Sequence, residues 1–281
     1  MICPYGPSTA INLFVPALSA IRLRIWLTKT RIGQLVKQMT SSKTSLFNSD
    51  WKGMSLFMKH SIPFGDPRLK EVYNHFRSNI EDICRVAEKS GAAVILTTVL
   101  TNDKDCPPFL SLHKDGLKDS VLSKWNDLYM AAVRLDSLGQ YKEAAELFLQ
   151  ASVIDSMYAD LQFRLGRCYI KMKNISEAGK CFIKARDYDA LRFRADSRIN
   201  DIIRDVALNN NSGRIYLTDA WKDVTNYCSD GIPGKELLLE HVHLNVSGNY
   251  FLAKCLLEKV ENALNIESNL NTPDIDKCLE R

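Results

Sequence analysis

The sequence has no Cys-x-x-Cys pair, and none of its eight cysteines belongs to a His/Cys cluster with zinc-site spacing, so no structural zinc site is expected and no metal ligand is assigned. Charge of one sign is also scarce. Thirty-seven Lys and Arg stand against 33 Asp and Glu, a net charge of +4 spread too evenly to form the footprint of a nucleic-acid surface. No nucleic-acid partner is expected. Long apolar runs are missing too, because the stretch 10–27 is broken by Asn12, Pro16, Arg22 and Arg24, and Met1 to Ser8 has no basic leader of a signal peptide. Arg22, Arg24, Lys29, Arg31 and Lys37 lie beside Leu18, Ile21, Ile25, Leu35 and Val36, which describes an amphipathic helix. Such a helix is expected to pack on its own domain rather than rest on a membrane. No cofactor is expected, and nothing marks a compartment.

What is present is the balance of an ordinary folded protein: 46% hydrophobic and 25% charged residues over 281 positions, enough for about two domains with a core that needs no disulfides. The cysteines are therefore read as free thiols, several of them at apolar helical positions. Asp66 and Pro67 open a helix whose Leu69, Val72, Phe76, Ile80 and Ile83 recur at helical spacing until Gly91. Ala92 to Leu100 is then a continuous β-branched run, the pattern of a strand buried on both faces. Arg194 to Leu208 is a second helix, Arg214 to Thr218 a second short strand, and Ser247 leads into a final helix through Leu264. The tail after Ile266 is polar and expected to be loose.

Between the two strands the chain repeats itself. Leu128, Ala132, Leu135, Ala144, Phe148 and Ala151 recur 34 residues later as Gln162, Gly166, Tyr169, Ala178, Phe182 and Ala185. Small residues stand where two antiparallel helices must approach closely. The pattern over about Lys124 to Leu191 resembles the tetratricopeptide repeat family, with Leu135 in place of an aromatic and Ala190 in place of the closing proline. Four segments are expected: 1–118, the repeats at 119–191, 192–266, and a tail at 267–281.

Candidate chemistry sits near the C-terminus, where Glu240 and His243 stand three apart in a loop before the last helix. A carboxylate at that spacing can hold one imidazole nitrogen while the other faces a nucleophile. The block from Glu240 through His243 and Asn245 to Gly248, Asn249 and Tyr250 resembles the closing motif of SGNH, or GDSL-like, ester hydrolases, with Glu where Asp is usual. That resemblance implies an α/β fold, a three-layer, flavodoxin-like parallel sheet with the all-α repeats inserted. It also implies an ester or acyl substrate, His243 as base and Glu240 as its orienting acid. Asn245, Arg192 and Arg194 are the candidate substrate-binding residues, although surface ion pairing also accounts for the turn containing Arg192, Arg194, Asp196 and Arg198. Asp103, Lys104 and Asp105 follow the first strand and fall near the same edge. His241 alternates with His243, without a marked third metal ligand.

The family's nucleophile and oxyanion-hole blocks have no counterpart before Pro67, where no Gly-Asp-Ser follows a buried strand. Pro4-Tyr5-Gly6-Pro7 looks like the residues just after one of those blocks. The expectation is a chain without its nucleophile segment, weak or inactive alone, whose first strand lacks a neighbour. The alternative is a noncatalytic module whose repeats offer a concave surface to a peptide or protein.

Overall fold

The computed structural model describes residues 18–40, 57, 61–210 and 212–266. Cys3, Cys278, the segment Pro4 to Pro7 and the tail 267–281 lie outside the described residues. Helices α1 (Leu18–Lys29) and α2 (Arg31–Thr40) come first, then α3 (Arg68–Lys89) and strand β1 (Val94–Thr97). Four helices follow: α4 (Asp119–Ser137), α5 (Tyr141–Ile154), α6 (Ala159–Lys171) and α7 (Ile175–Asp187). The chain continues through α8 (Ser197–Leu208), β2 (Ile215–Thr218), α9 (Ala220–Tyr227) and α10 (Val246–Leu264).

The three-layer α/β sheet expected from the esterase resemblance is not what forms. The described residues are mostly helical, and their one sheet has two strands, β1 and β2, paired in parallel with Val94 opposite Ile215 and Thr97 opposite Thr218. Two effects account for the difference. The apolar run that predicted a strand from Ala92 to Leu100 stops pairing early, because the Asn200 side chain takes over the peptide groups of Val99, its Oδ1 accepting from the Val99 N–H at 2.8 Å and its Nδ2 donating to the Val99 carbonyl at 3.0 Å. Helices, moreover, cover the run only in part, leaving all four residues of β1 half-buried rather than buried on both faces as expected. Val94, Leu96 and Ile215 pack with Ile80 and Cys84 of α3 and Ile202 and Val206 of α8, while α10 packs against both strands. A continuous apolar run announces cover, without stating by what or how completely. Among the described residues β1 pairs only with β2, leaving its other edge without a strand.

Local signals elsewhere translate directly. Helix α3 ends at Gly91, whose φ of 79° turns the chain into β1 as only glycine does without strain. Asp196, Asp219 and Asn245 cap α8, α9 and α10, each side chain accepting from the backbone N–H three residues on. The helix expected in the N-terminal stretch is divided in two at Thr30, whose hydroxyl donates to the Leu27 carbonyl at 2.7 Å. Arg22 forms an ion pair with Asp82, while Ile32 and Leu35 are exposed. No helix among the described residues is long and apolar enough to cross a membrane.

Helices α4 to α7 form two antiparallel pairs around a core that contains Trp125, Ala132, Ala144, Phe148, Ala151, Leu161 and Cys168. Ala132, Ala144, Ala151 and Ala178 have no exposed surface, since a larger side chain there would hold the paired helices apart. Gly166 does the same for α6 and α7: a Cβ at this position would stand 3.0 Å from the Phe182 ring. The turn between those helices places Lys173 at φ 60°, and Asn174 caps α7. A buried ion pair joins the repeats to the rest of the molecule. Arg186, at the end of α7, reaches Asp103 beyond β1 at 3.1 Å and the Ser197 hydroxyl at the start of α8 at 2.8 Å.

Candidate functional site

The loop between α9 and α10 is closed on itself before it does anything else. Leu239 N–H donates to the His243 carbonyl at 2.8 Å and Asn245 N–H to the Leu237 carbonyl at 3.0 Å, making a tight reversal with Glu240 to Val242 at its tip. Asn102 N–H, from the segment beyond β1, donates to the His241 carbonyl at 3.1 Å. The tip is thereby anchored at the C-terminal end of the sheet, where the expected edge lies.

Glu240 clamps both histidines. Its Oε1 accepts from the His243 N–H at 2.9 Å and contacts His243 Nδ1; its Oε2 accepts from the His241 N–H at 2.6 Å and contacts His241 Nδ1. Burial is the largest influence on this carboxyl and pushes its pKa up, but the His243 N–H and imidazole and the His241 N–H together outweigh it and hold the group at about 2. Burial acts first on His241 as well and favours its neutral form, pulling its pKa below the usual histidine range despite Glu240. The His241 ring packs edge-on against Phe109, with centroids 5.1 Å apart. His243 is different: two thirds of its side chain is exposed, and no hydrogen bond reaches its Nε2 among the described residues. An imidazole so held can take a proton from a group brought to it.

His243 and Val242 stand on the rim of a cavity of about 240 Å³ that runs between α3 and α8. Leu69, Val72, Val99 and Ile199 give it apolar walls, and the turn Arg192 to Asp196 closes it. That turn is not the solvated ion-pair surface its composition allowed. The side chains of Arg192 and Arg194 are only 7% and 2% exposed. Arg192 Nη1 donates to Asp196 Oδ2 at 2.9 Å, and Tyr73 donates its phenol hydrogen to the same oxygen. Arg194 holds the Asn102 carbonyl at 2.9 Å, the Cys106 carbonyl at 2.8 Å and Asp189 at 3.2 Å, with its charge 5.9 Å from the centre of the Phe109 ring.

The candidate residues thus divide. His243, Arg192 and Arg194 line one cavity and Glu240 orients His243, whereas Asn245 spends its side chain on Gly248 N–H at 2.9 Å and the Lys235 carbonyl at 3.0 Å. Asp103 pairs with Arg186, Lys104 bridges Asp230 and Glu236, and Asp105 accepts from Lys235 N–H, so these three brace loops rather than line this cavity. Tyr73 and Phe193 also line it, and no sequence signal marks either. Tyr73 follows Val72 on a helix stripe that reads as plain core, and no local pattern announces a partner 123 residues away. Among the described residues no group of three His, Cys, Asp or Glu is placed to hold a metal.

No curated protein and no solved structure matches the chain, and nothing among the comparisons supports the esterase resemblance. Residues 137–196, which take in α5 to α7 and the arginine turn, match the family model for the tetratricopeptide repeat, so the repeat resemblance holds over that stretch.

Proposed function

We propose that this chain is a noncatalytic interaction module that presents its helical repeats to a peptide or protein partner. The repeat match over residues 137–196 carries this reading, and the stacked pairs α4 to α7 support it, because each pair buries one face on its neighbour and leaves another to receive a ligand. In this reading residues 119–191 are the binding unit, and residues 1–118 and 192–266 are its support. Selecting a displayed peptide library on the full chain, then following amide hydrogen exchange with and without the enriched peptide, tests it. Protection concentrated in α4 to α7 is the expected result. Protection confined to other elements, or no enriched peptide at all, overturns it.

The Glu240–His243 contact supports a second reading, a remnant of an ester hydrolase in which His243 is the base, Glu240 orients it, and the substrate is an ester or acyl group. A base alone activates only what is delivered to it, and no hydroxyl donates to His243 among the described residues. The chain alone is therefore expected neither to turn over short-chain nitrophenyl esters nor to react with a fluorophosphonate. Ester turnover that disappears in His243→Ala would overturn the noncatalytic reading and would also show that a nucleophile lies within this chain, against the expectation just stated.

A further inference from the structure

The even charge balance of the chain has one exception. No Asp or Glu precedes Asp50, whereas residues 1–49 contain six Lys and Arg, and an even spread of the 33 carboxylates would put about six among them. Helices α1 and α2 lie inside this acid-free stretch. Leu23, Trp26 and Leu27 fall at i, i+3 and i+4 and so share one stripe of α1, and Ile32 and Leu35 share one of α2. All five are exposed, Ile32 at 76%. Lys29 and Arg31 are exposed beside them, where the two helices meet. The junction is a fixed corner: the Thr30 hydroxyl donates to the Leu27 carbonyl and accepts from the Gly33 N–H at 3.0 Å, and a Cβ on Gly33 would collide with the Leu27 carbonyl oxygen.

Exposed apolar stripes edged by positive charge narrow the choice of partner. Neither helix can cross a bilayer: at 12 and 10 residues they are about 18 and 15 Å long, against a hydrocarbon core of about 30 Å. Helices with Trp and Leu on one face and Lys and Arg around it instead lie along a bilayer surface, where the indole and aliphatic chains enter the headgroup boundary and the cations meet anionic lipid. A nucleic-acid backbone would satisfy Lys29 and Arg31 but would leave Leu23, Trp26 and Ile32 in water. A second copy of the chain would bury the apolar residues but, across a two-fold axis, would set this positive face against itself. An anionic bilayer serves both sets of side chains at once.

We infer that α1 and α2 form a docking surface for an anionic lipid bilayer, with Leu23, Trp26, Leu27, Ile32 and Leu35 in the headgroup boundary and Lys29 and Arg31 on the anionic headgroups. Such a surface departs from the expectation that this stretch packs only on its own domain, although the ion pair of Arg22 with Asp82 of α3 still ties α1 to the fold. It lies outside residues 119–191 and stands or falls apart from the peptide-binding reading of the repeats.

Cosedimentation of the full chain with vesicles of phosphatidylcholine, alone or mixed about three to one with phosphatidylglycerol, tests the assignment. Binding to the anionic vesicles is expected to be about tenfold tighter or more, since each basic residue at the surface is worth roughly fivefold, and to fall when salt is raised from about 0.05 to 0.5 M. Leu23→Glu combined with Leu35→Glu should weaken it by about tenfold or more without altering thermal melting, because both side chains are exposed. If that variant melts early, hydrogen exchange of the unaltered chain with and without anionic vesicles still decides, with protection expected in residues 18–40. No sedimentation at millimolar anionic lipid overturns the inference, as does a well-folded double variant that binds undiminished, or protection confined to other residues. Two further results overturn it by naming another occupant: duplex DNA bound as tightly as the anionic vesicles, or a dimer in sedimentation velocity that the double variant dissociates.

Discussion

Replacing Arg186 with methionine keeps an unbranched, flexible side chain, though a shorter one, and removes its charge. In the folded chain Arg186 and Asp103 are 1% and 2% exposed, and besides Asp103 the guanidinium holds Asp187 at 3.1 Å and the Ser197 hydroxyl at 2.8 Å. Asp103 has one other side-chain partner, the Thr101 hydroxyl at 2.7 Å. Burial pushes the Asp103 pKa above the ordinary carboxylate value even with the arginine beside it, so the ionised form depends on that cation. Removing one partner of a buried pair costs about 3–5 kcal/mol, most of it from the charge left behind. At about 2–4 °C per kcal/mol for a protein of this size, Tm should fall by roughly 10 °C. Thermal melting by circular dichroism, with a urea titration to confirm the free energy, measures this. A second variant separates the orphaned charge from the lost contact. Arg186→Met combined with Asp103→Leu should recover most of the loss, since apolar replacements of both partners are often near neutral. A fall of less than about 2 °C in the single variant would refute the argument, because water would then be reaching Asp103 and the repeats would not be joined to β1 through this pair.

Gly166→Val should destabilise the chain by about 1–3 kcal/mol in urea titrations, because its branched carbons would be driven into the Phe182 ring, which lies only 3.0 Å from where even a first side-chain carbon would stand. Acid should loosen the Glu240 loop in two stages. His241, with its folded pKa below 6.5, resists the proton that the unfolded chain accepts, so stability declines as pH falls below that value; Glu240, held at about 2 rather than 4.5, contributes stability above pH 4.5 that is lost as pH approaches 2. Hydrogen exchange of residues 237–245 between pH 7 and 3 reads both, and Glu240→Gln should flatten the lower stage. Burial pushes the thiols of Cys168 and Cys228 up to about 12 and that of Cys181 to about 11, so iodoacetamide at neutral pH should leave all three unmodified until denaturant is added, as mass spectrometry of the peptides would show.

Local patterns in the sequence settled what depends on neighbours along the chain. The 34-residue spacing of small and aromatic positions fixes α4 to α7, since a helix pair packs closely only where Ala132, Ala144, Gly166 and Ala178 allow it. Gly91, Asp196 and Asn245 set helix ends by backbone conformation and capping, and Glu240 meets His243 because three residues in a tight loop bring them together. What surrounds the two strands was beyond such reasoning. An apolar run announces cover without stating by what or how completely, and here α3, α8 and α10 leave β1 half-buried while the Asn200 side chain ends the ladder at Val99. The fate of the arginines was equally hidden. Arg192, Arg194 and Arg198 look alike in sequence, yet only the packing of α3 against α8 buries the first two beside Tyr73 and Phe109 and leaves Arg198 exposed, because desolvation is a property of everything that closes over a residue and not of the residues beside it.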